Sequence, residues 1–160
     1  MPSAKEDYFE GGLPVHKTSY CAFLDVLGFS ERIRASEAKG EANKTLQEFH
    51  AIFSKRLKKL KEEHDESLQY FKSFSDNILL AHPQFSQDME SEFGFILDSI
   101  CQYQLDMSIR GYFIRGGLAV GALFMDENSV YGQALLDAYR LETQVAVNPR
   151  LQSTQAATLC

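Results

Sequence analysis

Two aspartates stand where carboxylates are expensive. Asp25 interrupts the nearly continuous apolar run of residues 19–27 (SYCAFLDVL), and Asp76 lies between the β-rich runs 68–74 and 78–82. A carboxylate beside buried strands needs a partner. If these segments are neighbours in one sheet, the acids converge at one end, and converging carboxylates repel unless a divalent cation lies between them. Taken singly, each has a plainer use: Asp25 caps the helix that follows it, and Asp76 closes an Asx-turn. Beside Asp25, the turn Gly28-Phe29-Ser30 opens a helix whose free N–H groups point back at the same corner, which makes a cradle for phosphate. Arg115, set between Ile114 and Gly116, is expected to be buried in a strand and paired with a carboxylate or a phosphate.

The elements that must hold these residues can be traced from periodicity. Residues 19–27 suit a strand buried on both faces, after which Gly28 turns the chain and Ser30 caps a helix starting at Glu31. Leu46, Phe49, Ile52, Phe53, Leu57 and Leu60 trace one helical face, predicting a helix over 43–60, with the basic run 56–61 solvated and 64–67 a polar connection. The runs 68–74 and 78–82 form a hairpin tipped by Ser75, Asp76 and Asn77. A second amphipathic helix carries Phe93, Ile96, Leu97, Ile100 and Tyr103 and runs to about Met107. Residues 112–124 form a strand pair or one bent strand with glycines at close approaches, and a tight loop leads to a helix over 133–145. The order βα, ββ, α, β, α predicts an α+β fold, an antiparallel sheet covered by helices of the ferredoxin-like or palm kind. Residues 1–17 are expected to be a flexible arm and 18–160 the single folded domain.

Composition limits the partners. With 22 acidic against 16 basic residues and a net charge of −6, the chain lacks the basic surface that a long nucleic acid requires. A phosphate-bearing ligand on so acidic a protein must be met largely through cations. The apolar stretches are too short for a membrane span, and residues 1–10 form neither a signal nor a transit peptide. Three widely spaced cysteines, Cys21, Cys101 and Cys160, suit reduced thiols in the cytoplasm.

Four ordered motifs give these residues a family resemblance. FLDVLGFS resembles the F-x-D-[IV]-x-G-F-[ST] segment that opens class III adenylate/guanylate cyclase domains, and KSFSDNILLA resembles their K-x-x-G-D-x-x-[ML]-A hairpin. FIRGGLAVG is similar to their R-x-G-[IL]-x-x-G strand, and VYGQALLDAYRLE to their Y-[WF]-G-x-x-V-N-x-A-x-R-L-E helix. The forms D-V-L-G-F, F-S-D-N and I-R-G-G-L-A-x-G, with a later P-R, resemble the bacterial pyrimidine cyclases of Pycsar antiphage systems. The resemblance spans residues 19 to about 150.

It implies a class III cyclase fold in which Asp25 and Asp76, with the Val26 carbonyl, hold two divalent cations, Mn²⁺ or Mg²⁺. The N–H groups of Gly28, Phe29 and Ser30 would receive phosphate oxygens, and Arg140 would meet charge on the α-phosphate. Lys72 matches the lysine that reads adenine in adenylate cyclases, and Tyr70, on the same strand face, would line the same base pocket; Arg115 would approach a phosphate. A lysine donor suits the two carbonyls of uracil better than the amino group of cytosine, which favours UTP over CTP. The resemblance further implies a homodimer with composite sites and a cyclic UMP or cyclic CMP product received by a separate cyclic-nucleotide-binding effector. A purine cyclase, or an inactive cyclase-like dimerisation or nucleotide-sensing domain, are the alternatives.

Two departures stand out. Leu136 occupies the place of the Asn that assists the transition state in purine cyclases, and family domains carry further strands past the P-R motif, here Pro149-Arg150, so the domain reads as C-terminally short.

Overall fold

The computed structural model describes residues 7–67, 69–146 and 151–153; the Pro149-Arg150 motif lies outside them. The sheet is built on β3 (Lys17–Val26), which pairs antiparallel with β5 (Asn77–Pro83) on one side and with β6 (Ile114–Met125) on the other. Flanking them are β4 (Tyr70–Phe74), hairpinned to β5, and β7 (Val130–Tyr131), paired with the end of β6, giving the order β4-β5-β3-β6-β7.

The alternation of β3 divides the core. Tyr20, Ala22, Leu24 and Val26 face Phe49 and Phe53 of α2 (Ala42–Ser67) and Ile96, Ile100, Tyr103 and Met107 of α3 (Glu90–Ser108). Cys21 and Phe23 face the other way, with Leu79, Ala81 and Ala119, toward Ala134 and Ala138 of α4 (Gln133–Arg140). A strand sandwiched in this manner must be apolar on both faces, which is why its sequence runs almost unbroken. The α+β architecture with a helix-covered antiparallel sheet is as expected.

Several boundaries differ from the sequence reading. The first helix, α1 (Phe29–Ala38), is capped by Gly28 and not Ser30: Leu27 N–H still bonds the Phe113 carbonyl, and Gly28 then takes φ 73° to swing the chain directly into the helix. Residues 64–67 are the last turn of α2 and not a connection. Residues 114–125 are one strand. Most of the supposed loose arm is structured, as β1 (Phe9–Glu10) and β2 (Leu13–Pro14) pair across Gly11-Gly12. Both glycines have positive φ, the requirement of a type I′ hairpin turn. Tyr8 ahead of it is fully buried, its hydroxyl 2.8 Å from Ser19 Oγ. The last described residues form β8 (Leu151–Ser153), parallel to β6 at Gly116–Leu118. Among the described residues no helix is long and apolar enough to cross a membrane.

Candidate active site

The register of the central strands brings the two acids together. Leu24 pairs with Ile78 across β3 and β5, so Asp25 ends its strand beside the turn from which β5 begins. That turn contains two residues, Ser75 and Asp76, because Phe74 pairs with Asn77. Ser75 has φ 56°, a left-handed value, at the position where the resembled hairpin has glycine. Its hydroxyl donates to Asp76 Oδ1 at 2.9 Å, which fixes the carboxylate at the tip. Asp76 is buried, and Asp25 keeps 17% of its side chain exposed.

On the other side, Asp25 is directly opposite Arg115 in the β3–β6 ladder, and Arg115 Nε–H donates to Asp25 Oδ2 at 3.2 Å. The same Nε stands 2.7 Å from Oε1 of Glu142, whose side chain is 3% exposed. Arg115 is therefore held by carboxylates, one of the two pairings expected of it. Two acids hold one guanidinium, and a third, Asp76, lines the same cavity. Burial and then the neighbouring Asp76 charge, with a further contribution from Glu142, push the Asp25 carboxyl up to about 6 despite Arg115. Burial likewise raises Glu142, with Arg115 opposing.

These groups line one cavity of about 360 Å³, together with Phe23, Val26, Gly28, Phe29, Ser30, Glu31, Asn77, Tyr139 and Thr143. The start of α1 opens into it without a side-chain cap, so its first N–H groups and the positive end of its dipole face the acids. Among the described residues no three His, Cys, Asp or Glu side chains form a ready metal cage. Two carboxylates beside an anion cradle nevertheless fit a Mg²⁺-type cation, which is commonly held by one or two carboxylates and completed by substrate phosphates.

Other expected site residues lie elsewhere. Tyr70 does not line this cavity: its ring packs edge-on to Tyr8 at 5.3 Å and its hydroxyl donates to Asp7 at 3.2 Å, so the N-terminal hairpin has claimed it. Lys72 lies two residues along the same strand face, where burial lowers its pKa and Asp126 and Glu127 oppose that shift. Arg140 is exposed near the end of α4, with its Nε 3.3 Å from Gln144 Oε1, and is not part of the cavity wall. Glu142 was missed by the sequence reading. Its signal was spacing, since Ala134, Ala138 and Glu142 recur every four residues on the buried side of one helical segment.

No protein-family model and no curated protein sequence matches the chain. Solved structures do. A bacterial light-regulated adenylyl cyclase superposes with a TM-score of 0.59 at 17% identity, covering 91% of this chain and 79% of that one. The adenylyl cyclase CyaB from P. aeruginosa gives 0.57 at 16% identity, with 80% and 72% covered. The non-canonical dimeric guanylyl cyclase domain of the RhoGC fusion protein from the aquatic fungus Blastocladiella emersonii gives 0.54 at 19% identity, with 80% and 74% covered. The fold of this chain is that of class III cyclase catalytic domains.

Proposed function

We propose that this chain is a nucleotidyl cyclase that converts a pyrimidine nucleoside triphosphate, UTP ahead of CTP, into the 3′,5′-cyclic mononucleotide and pyrophosphate. The observation that carries the reading is the meeting of Asp25 and Asp76 at one end of the sheet, facing the start of α1, which has no side-chain cap, across a cavity of about 360 Å³. In the reaction the ribose 3′-oxygen bonds to the α-phosphorus, the bond to the β-phosphate bridging oxygen breaks, and the hydroxyl proton is lost. Two divalent cations, Mn²⁺ or Mg²⁺, bound by Asp25, Asp76 and the Val26 carbonyl would activate the hydroxyl and neutralise the departing pyrophosphate. The N–H groups of Gly28, Phe29 and Ser30 orient phosphate oxygens, and Arg115 and Glu142 set the charge beside Asp25.

The composite dimer is part of the same proposal. Arg140 and Lys72 stand outside the wall of the cavity that holds the acids, and in the composite arrangement they serve the cavity of a second copy. Exposed Leu136 (61%) and Tyr139 (51%) on α4 offer apolar surface for such a contact. The pyrimidine preference rests on the Pycsar-like motifs and Lys72, and it carries the antiphage role: a cytoplasmic second messenger passed to a separate cyclic-nucleotide-binding effector. The free thiols of Cys21 and Cys101 accord with that compartment.

Incubation with each of the four nucleoside triphosphates and Mn²⁺, with mass spectrometry of the products, tests the reading. Cyclic UMP as the main product is the expected result. Cyclic AMP or cyclic GMP as the main product would make the chain a purine cyclase, in keeping with the structures it superposes on. No cyclic product from any triphosphate would reduce it to a cyclase-like dimerisation or sensing domain.

A further inference from the structure

The end of α4 packs against β6 at backbone contact. A Cβ at Gly117 would stand 2.1 Å from the Ala138 carbonyl oxygen and 2.7 Å from Leu141 Cβ, so the helix comes this close only because residue 117 has no side chain. At Leu141 the helix then widens into a π-turn (Leu141–Val145), closed by the Ala146 N–H on the Leu141 carbonyl at 2.9 Å. Such turns are rare and occur mostly as single turns within α-helices, frequently at functional sites. The result here is a buried glutamate: the side chain of Glu142 is 3% exposed and reaches Arg115.

Arg115 already has a partner, since Asp25 faces it across the ladder. Fold stability does not call for a second buried acid, because a buried carboxylate is costly and one partner suffices for one guanidinium. Competition of two carboxylates for one guanidinium explains the second. Arg115 Nε donates its one N–H to Asp25 Oδ2 at 3.2 Å, while Glu142 Oε1 stands 2.7 Å from the same nitrogen as an ion-pair partner without a hydrogen bond, so a stronger pull by Glu142 is a weaker hold on Asp25. Asp25, Asp76 and Glu142 against Arg115 also leave two negative charges at the site when all are ionised.

We propose that Glu142 is a positioning residue of the cation site: it holds the Arg115 guanidinium, limits its grip on Asp25, and so leaves the Asp25 carboxylate free to take a divalent cation. The proposal rests on the reading of Asp25 and Asp76 as cation ligands. Without Glu142, Arg115 closes on Asp25 and competes with the cation for the same oxygen. Glu142 acts on the cation through Arg115 and Asp25.

The test is Mn²⁺ titration of the full chain without nucleotide, counting free Mn²⁺ by electron paramagnetic resonance, alongside thermal melting. Glu142→Gln keeps the shape and is expected to weaken Mn²⁺ binding about tenfold, the usual scale for a lost outer partner of a metal ligand. Arg115→Gln removes the competitor, so in that background Glu142→Gln should change Mn²⁺ affinity less than twofold, a coupling that a double-mutant cycle reads directly. If Arg115→Gln alone does not fold, the double variant, which removes the buried Glu142 charge together with Arg115, still decides: recovery of affinity relative to Glu142→Gln supports the proposal. An equal tenfold loss in both backgrounds makes Glu142 a distant charge and overturns it. Lower melting with unchanged affinity makes it structural and overturns it as well. Wild-type protein that binds no Mn²⁺ overturns the ligand assignment and this proposal together, whereas wild-type binding matched by Glu142→Gln overturns this proposal alone.

Discussion

Asp25 and Arg115 face each other across β3 and β6, joined by a 3.2 Å hydrogen bond, and this pairing puts a cation-seeking carboxylate and its internal counter-charge on adjacent strands. Asp25 is thereby satisfied before any ligand arrives. Asp25→Asn and Asp76→Asn should each lower cyclase turnover about 100-fold or more, because the site loses a ligand while the sheet keeps its packing. Melting temperatures should hold or rise, since each change removes a repelling charge. A variant that keeps near wild-type turnover with Mn²⁺ would rule that aspartate out as a ligand.

Ser75 performs two opposed jobs at the tip of the β4–β5 hairpin. Its left-handed backbone is strained for any residue with a Cβ, by roughly 1 kcal/mol, while its hydroxyl anchors Asp76 Oδ1. Ser75→Gly should relieve the strain and raise the unfolding midpoint slightly. It should also weaken Mn²⁺ binding by a few-fold, because Asp76 loses the bond that orients it. Unchanged Mn²⁺ affinity would show that the turn alone positions Asp76.

How much of this could be read from the sequence depended on whether the cause was local. The strand holding Asp25 was legible because burial on both faces demands an apolar run, and the Asp76 hairpin because two such runs flank a polar tip. The convergence of the acids followed once β3 and β5 were taken as neighbours. The burial of Tyr8 was not legible: it depends on Tyr70, Ser19 and Phe124, which come from distant strands. The parallel pairing of β8 over three residues has no local pattern either. Glu142 was hidden because a glutamate late in an amphipathic helix is ordinarily solvated, and only the glycine-permitted approach of α4 turns it inward.

Tyr103, in the core on the far side of the sheet from α4, is fully buried, and its hydroxyl has no hydrogen-bond partner among the described residues. An unsatisfied buried hydroxyl costs about 1 kcal/mol or more, so Tyr103→Phe should stabilise the fold and raise Tm by roughly 2–4 °C. Differential scanning calorimetry checks this. A fall in Tm would reveal a partner for the hydroxyl that the static structure does not contain.

Glu92 makes a pH-dependent contribution. Burial favours its neutral form, but hydrogen bonds from the Ser86 hydroxyl and from the Ser86 and Phe85 N–H groups outweigh that and hold its carboxyl at about 2, against 4.5 for the free side chain. A depressed pKa stabilises the fold above the unfolded value, and that stability is lost as pH falls from about 4.5 to about 2. Glu92→Gln should therefore cost on the order of 2 kcal/mol at pH 7, with the gap to wild type closing across that acid window in urea melts. A gap that stays constant would mean that the carboxylate charge has no part in the contribution.

Arg140 provides the test of composite sites. It lies outside the cavity wall of its own chain, and if it acts on substrate in a partner subunit, Arg140→Ala and Asp25→Ala damage different halves of one site. In a mixed dimer of the two variants, one composite site carries both lesions and the other carries neither. Mixing in equal amounts, with subunit exchange complete, should form mixed dimers as about half of the population. Total activity should return to about a quarter of wild type from two nearly inactive parents, as two-fold symmetry requires. Exchange is checked with differently tagged subunits, and the impairment of Arg140→Ala alone is measured first. If Arg140→Ala is impaired, exchange is complete and activity stays at the parental level at every mixing ratio, the site is built within one chain and the composite arrangement fails.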